Sequence, residues 1–255
     1  ILGLIISGYR IFQRLRESAR ALIEARNEAV RASQVKARFI ANISHEIRTP
    51  MNGIMGMTRL LSDAGLTREA AHYVETIKTC GNTLLALIND VLLFSKMESE
   101  RVSLDVRPFD VRRAVKDVLE LLSVAAKEKG LALSSCLDES LPRCLMGDDM
   151  RFRQVLTNLV SNAIKFTDRG SVIVDGAATL IEGNRYDVRL AVTDSGIGIA
   201  PEVQGKLFQA FYQVRDERAA SSMGGTGLGL AICKAICTAM GGSIQVQSEI
   251  GRGAT

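Results

Sequence analysis

The sequence has no tryptophan, and aromatic residues make up only 5% of its 255 residues, so its cores must be built from aliphatic side chains. Hydrophobic residues reach 47%, ample for cores in one or two domains. Charge of one sign is also scarce. The net charge is +4, and Lys and Arg are interleaved with acids, which excludes the basic surface of a nucleic-acid binder. The five cysteines (Cys80, Cys136, Cys144, Cys233 and Cys237) form no CxxC pair and no metal-ligand cluster. Cys233 and Cys237 stand one helical turn apart, a packing pattern, and an odd, scattered set suits reduced cytosolic thiols. The N-terminal run ILGLIISGYRIF (1–12) is apolar but too short to cross a bilayer, which needs about 20 residues. Followed by Arg14, Arg16 and Arg20, it reads as the last turns of a transmembrane helix with its arginines on the cytoplasmic side; the start of a coiled coil is the alternative. With no Met at Ile1, the chain is expected to be a piece of something longer, the cytoplasmic region of an inner-membrane protein.

What is present begins with a helix. From Phe12 to Ser62 the only proline is Pro50. Over 13–35, Leu15, Leu22 and Ala29, then Ile43, fit a seven-residue repeat, with Ser18, Ala25, Ala32 and Phe39 at its second core position. Lys36 interrupts the first series, so this is a weak coiled-coil rod. SDAGLT (62–67) is a turn, and a second helix is expected from Arg68 to about Glu100, with a stripe of Tyr73, Ile77, Leu84, Ile88, Val91 and Ser95. Two amphipathic helices joined by a short turn make an antiparallel hairpin over 36–100, and a homodimer of four helices buries its stripes economically.

Within the first helix, Ile40, Ile43, Ile47, Met51, Ile54 and Leu61 recur at steps of three and four. His45 lies two residues from both Ile43 and Ile47, and at about 100° per residue it projects away from that stripe. Thr49 and Asn52 share its side, Glu46 adjoins it, and Pro50 removes a helical donor nearby. A neutral imidazole is thereby displayed to solvent.

Beyond about residue 100 the period changes. Leu104–Phe109 alternates like a strand; Asp110 caps a helix that Gly130 ends; LALSSCL (131–137) and a short CLM follow; and Asp148 opens another helix. Strand-like stretches at Ser171–Leu180, Tyr186–Thr193 and SIQVQS flank a glycine-rich region and a helix from about Leu228 to Met240. Helix and strand without a strict βαβ rhythm suggest an α+β two-layer sandwich on one mostly antiparallel sheet over 101–255. Asn158, Asn162 and Lys165 fall on one helix face, able to offer oxygens to Mg²⁺ and a cation to phosphate; a solvated face is the alternative. Asp194 ends a strand before SGIGIAP, suiting a carboxylate that accepts from an exocyclic amine. GGTGLGLAI (224–232) runs glycines into a helix start, where amides bind phosphate, but it lacks the GK[ST] of a P-loop. Between them, Phe208 and Phe211 are expected to anchor a long loop.

In this order, FIANISHEIRTPMNG resembles the phosphoacceptor box of sensor histidine kinases of two-component systems, and NLVSNAIKFT, DSGIGIA, LFQAFYQV and GGTGLGLAI resemble the asparagine, first glycine, phenylalanine and second glycine boxes. The resemblance covers nearly the whole chain from about residue 30. It implies a dimeric hairpin that dimerises and carries the phosphoacceptor, then a Bergerat-type ATP-binding domain that binds ATP and Mg²⁺. By resemblance His45 would accept the γ-phosphoryl group, Glu46 would take its proton or orient the ring, and Thr49 would position water for dephosphorylation of a partner. Asn158 and Asn162 would bind Mg²⁺, Lys165 would meet phosphate, Phe166 would pack on adenine, and Asp194 would accept from the adenine amine with room given by Gly196 and Gly198. Gly225, Thr226, Gly227, Leu228 and Gly229 would line the phosphates under a lid. Relatives often carry a basic or aromatic residue just before that last box; here the run is AASSM, and Arg218 is the nearest lid cation. The chain ends at GRGAT, where relatives continue into a last strand. MNGIMGM is typical of hybrid kinases, so the implied partner is a response-regulator receiver domain, either in trans or C-terminal in cis. A catalytically weak dimeric scaffold or phosphatase is the rival reading.

Overall fold

A computed structural model of the chain describes residues 16, 40, 42–44, 46–62, 64–99, 103–213 and 226–255. His45, Arg218, Gly225, residues 1–12 and, apart from Arg16, the rod over 13–35 lie outside the described residues. The chain divides into two compact units, Ile1–Arg101 and Val102–Thr255.

In the first unit residues 46–62 form helix α1, Pro50 included, and Arg68–Ser99 forms α2. Thr67 opens α2, its hydroxyl accepting from the Ala70 amide at 3.3 Å. Arg48 donates to Asn89 at 2.9 Å, and the side chains of Met51 and Met55 lie over Gly81. Positions rise on one helix as they fall on the other, so the pair is antiparallel. Val74 and Ile88 are buried, but Ile47, Ile54, Leu61, Tyr73, Ile77 and Leu84 remain exposed within one copy of the hairpin. The expected stripes therefore exist, and these six of their residues are left exposed by a single chain. The same composition gives an 18-residue stretch of α2 a mean hydropathy of 1.3, enough by length and composition to cross a bilayer. A helix whose apolar face meets other helices meets that criterion equally.

The second unit layers helices on a sheet. Strand β1 (Arg107–Asp110) pairs antiparallel with β3 (Cys144–Gly147). Strand β2 (Ala132–Leu137) runs parallel to β4 (Ser171–Glu182), which pairs antiparallel with β5 (Arg185–Asp194). Helices α3 (Val111–Glu128) and α4 (Asp149–Phe166) cover this sheet, a short α5 (Pro201–Gln204) follows β5, and α6 (Gly229–Ala239) packs on α4. Strands β6 (Ser248–Glu249) and β7 (Gly253–Ala254) close the chain as a hairpin extended by reciprocal bonds between Gln247 and Thr255. The core is aliphatic, as the composition requires: Val115, Val118, Leu156, Val160, Ile164, Val172 and Val174 are all buried. Each such side chain contributes about 1.5–3 kcal/mol.

Two expectations need correction. The one mostly antiparallel sheet is, among the described residues, a mixed three-stranded sheet and two short ribbons, because the β2-to-β4 crossover carries α4, the length of connection that parallel pairing needs. The strand-like runs at Leu104–Phe109 and SIQVQS shrink to β1 and β6, since alternation supplies an amphipathic surface but only a neighbouring strand supplies the ladder.

Asp148 fixes the start of α4. Its carboxylate accepts from the Arg151 amide at 3.0 Å and, through the other oxygen, from the Asp105 amide at 3.0 Å. Burial pushes this carboxyl up, but those amides and the Arg151 guanidinium outweigh it and hold the group below the usual carboxylate range. Asp148→Ala is expected to cost about 1–2 kcal/mol of stability at neutral pH. Because the folded pKa is depressed, the wild-type advantage is full above the unfolded value of about 3.9 and fades as pH falls through the folded one. Urea midpoints of both proteins across that range check it; a gap independent of pH would contradict the assignment.

Candidate functional site

The second unit gathers its chemistry around α4. At the end of β5, Asp194 Oδ1 accepts from the Gly196 amide at 2.8 Å and the Ala254 amide at 3.3 Å. Among the described residues nothing donates to its second oxygen. That oxygen stays available to an amine, which is the role predicted for it. The following loop is clamped on two sides. Ile197 donates to the Phe166 carbonyl at 3.3 Å, at the end of α4, and the Gly251 amide donates to Ile197 at 2.8 Å, on the β6–β7 hairpin. Gln204 reinforces this by donating to the carbonyls of Ile199 and Ser248, each at 2.9 Å. Gly198 has φ +71, and a Cβ there would run into the Glu249 backbone, so this loop can lie against the hairpin only with glycine at that point.

Further back along α4, Asn162 Nδ2 donates to Asn158 Oδ1 at 3.0 Å, which turns the Asn162 carbonyl oxygen outward from the pair. The Asn158 carboxamide occupies the space a side chain at position 229 would need, so the first residue of α6 meets α4 through a glycine. Just before it, Thr226 accepts from the Leu228 amide at 3.0 Å, Leu228 is fully buried, and Phe211 donates to the Gly227 carbonyl at 2.9 Å. The phenylalanine stretch and the second glycine stretch thus meet through backbone. Phe211, at φ 63, anchors here through its backbone, and the residue as a whole is exposed. Lys165 sits with its ammonium 5.1 Å from the ring centre of the half-exposed Phe166, and burial pulls its pKa below the ordinary lysine value.

An adenine nucleotide with a divalent cation fits this donor set: an amine acceptor in Asp194, two carboxamides one helical turn apart, an ammonium, and amides at the opening of α6. Sequence reasoning missed Ala254 and Gln204. Their partners lie 60 and up to 44 residues away in the chain, and no local pattern marks them. In the first unit, Glu46 and Thr49 are exposed and Ser44 is buried on the opposite side, donating to the Ile40 carbonyl at 2.8 Å. His45 itself is outside the described residues.

Residues 35–100 match the family model of the His Kinase A (phospho-acceptor) domain, and residues 147–255 match that of the histidine kinase-, DNA gyrase B- and HSP90-like ATPase. The chain is a histidine kinase family member. The sensor histidine kinase GacS of Pseudomonas protegens is 44% identical over 232 residues, 90% of this chain and 25% of its own length. The signal transduction histidine-protein kinase BarA of Escherichia coli is 40% identical over 91% of this chain and 25% of its own. This histidine kinase chain therefore spans about a quarter of the length of such relatives. Among solved structures, full-length ShkA in complex with AMPPNP superposes with a TM-score of 0.71 at 40% identity, covering 84% of this chain and 43% of that one.

Proposed function

We propose that this histidine kinase chain, as a homodimer, transfers the γ-phosphoryl group of Mg-ATP to His45 and from there to an aspartate of a receiver domain. The observation that carries the reading is that α4 joins the parts of the proposed nucleotide site: its end meets the Asp194 loop, and its Asn158 meets the opening of α6. The likeness to ShkA, solved with AMPPNP, supports a nucleotide there. In the transfer, a nitrogen of the His45 ring forms a bond to the γ-phosphorus as the bond to the β–γ bridging oxygen breaks; ADP leaves, and Glu46 takes or orients the ring proton. Such a step needs positioning and charge neutralisation more than covalent help. Asn158 and Asn162 would hold the Mg²⁺, which neutralises phosphate charge; Lys165 would meet phosphate, Phe166 the base, and Thr226, Gly227, Leu228 and Gly229, with Gly225, the phosphates. The uncovered apolar stripes of α1 and α2 support the homodimer, and the apolar 1–12 segment with its arginines supports membrane attachment. Thr49, exposed beside Glu46, would serve the reverse, dephosphorylating reaction.

The test is incubation of the chain with γ-labelled ATP: acid-labile label on protein is expected, and its absence under conditions where the nucleotide binds would favour the scaffold. Within the site, Asn162→Asp is expected to weaken Mg-ATP about 10-fold, because the donor to Asn158 is lost and two oxygens then face each other. Unchanged affinity by calorimetry would remove Asn162 from the metal site.

A further inference from the structure

A helix ends with four backbone carbonyls that have no partner within it. In α4 these are Ala163, Ile164, Lys165 and Phe166, and the residue after them, Thr167, is extended at φ −108, ψ 122, so no left-handed glycine turn satisfies them. Each nonetheless has a donor. The Thr167 hydroxyl donates to Ala163 at 2.7 Å, and the Ile197 amide donates to Phe166 at 3.3 Å. The two between them are both served by one side chain, Lys129, whose ammonium lies 2.8 Å from the Ile164 carbonyl and 2.8 Å from that of Lys165, with Thr167 O at 3.4 Å.

Lys129 belongs to another helix end. It is the residue that caps α3, immediately before Gly130 turns the chain with φ +70. Its half-buried side chain spans to the end of α4, 35 residues away in sequence, and places three donors against three oxygens. A cation here also meets the negative end of the α4 dipole. The peptides it grips are those from which Lys165 and Phe166 project, and the next carbonyl along, Phe166 O, is the contact that holds the Asp194 loop.

We propose that Lys129 is a positioning residue for nucleotide binding: it touches no ligand, but it sets the direction in which Lys165 and Phe166 leave α4 and the seat on which the Asp194 loop rests. The inference rests on the nucleotide-site reading above. Methionine at this position keeps the length of the stem and removes the donors. A guanidinium keeps donors and charge.

The experiment measures affinity for a fluorescent adenine nucleotide with Mg²⁺ on the wild-type chain, Lys129→Met and Lys129→Arg, with amide hydrogen exchange on each. Lys129→Met is expected to bind about 10-fold more weakly, with faster exchange confined to residues 164–171 and 194–199 while β4 keeps its protection, and Lys129→Arg to recover most of the affinity. Wild-type affinity in Lys129→Met would overturn the role of Lys129 alone, as would loss of protection spread evenly over the unit. An arginine variant as weak as methionine would also overturn it. Absence of nucleotide binding by the wild-type chain would overturn the nucleotide-site reading and this inference with it.

Discussion

His45→Gln is expected to lose all acid-labile phosphate incorporation from ATP while binding the nucleotide within about twofold of wild type. The two halves of that expectation come from different units. The proposed nucleophile falls in the sequence of the first unit, between the exposed Glu46 and the buried Ser44, and glutamine retains helix propensity while offering no nucleophilic ring nitrogen. The groups proposed to bind the nucleotide (Asp194, Asn158, Asn162, Lys165) all belong to the second unit, Val102–Thr255. Labelled ATP incorporation and nucleotide titration on the same preparation measure both. Residual acid-labile label would point to a different acceptor, and His72, the other histidine of the chain, is the alternative to examine. A parallel loss of nucleotide affinity would sink the division of labour between units.

Asp194→Asn is expected to weaken adenine nucleotides by about 10- to 100-fold and to leave the fold intact. The substitution is chosen because the two oxygens of Asp194 do different things. Oδ1 holds the amides of Gly196 and Ala254, a role an asparagine oxygen can keep. The second oxygen, which no described residue serves, would become an amide N–H₂ facing the amine it is meant to accept from, so one charge-assisted bond is exchanged for two opposed donors. Alanine would confuse the two roles by releasing the loop as well. Titration with ATP and with a purine nucleotide lacking the exocyclic amine separates them: Asn should penalise the first far more than the second. Equal losses would mean that Asp194 acts only by holding its loop.

The periodicities were sufficient for helices and faces. Three- and four-residue spacing marked both stripes of the hairpin, and acidic caps at Asp110 and Asp148 marked where α3 and α4 begin. These signals are local, because an N-cap or an amphipathic turn depends on residues within one or two turns. Strand lengths were less legible: residues 104–106 alternate as well as any strand, yet among the described residues no strand pairs with them, and the Asp105 amide bonds the Asp148 carboxylate instead.

The candidate site residues were legible in the sequence alone, because carboxamides one turn apart, an acid at a strand end and glycines at a helix start follow one another in the order of the family's boxes. What holds them was decided only by the tertiary structure. Ala254 reaches Asp194, Gln204 ties its loop to Ser248, and Lys129 closes the end of α4, in each case across a long stretch of chain. The backbone groups they satisfy become a problem only once helix ends and loops are packed together, and the donor that answers them is whichever side chain or amide the fold brings within about 3 Å.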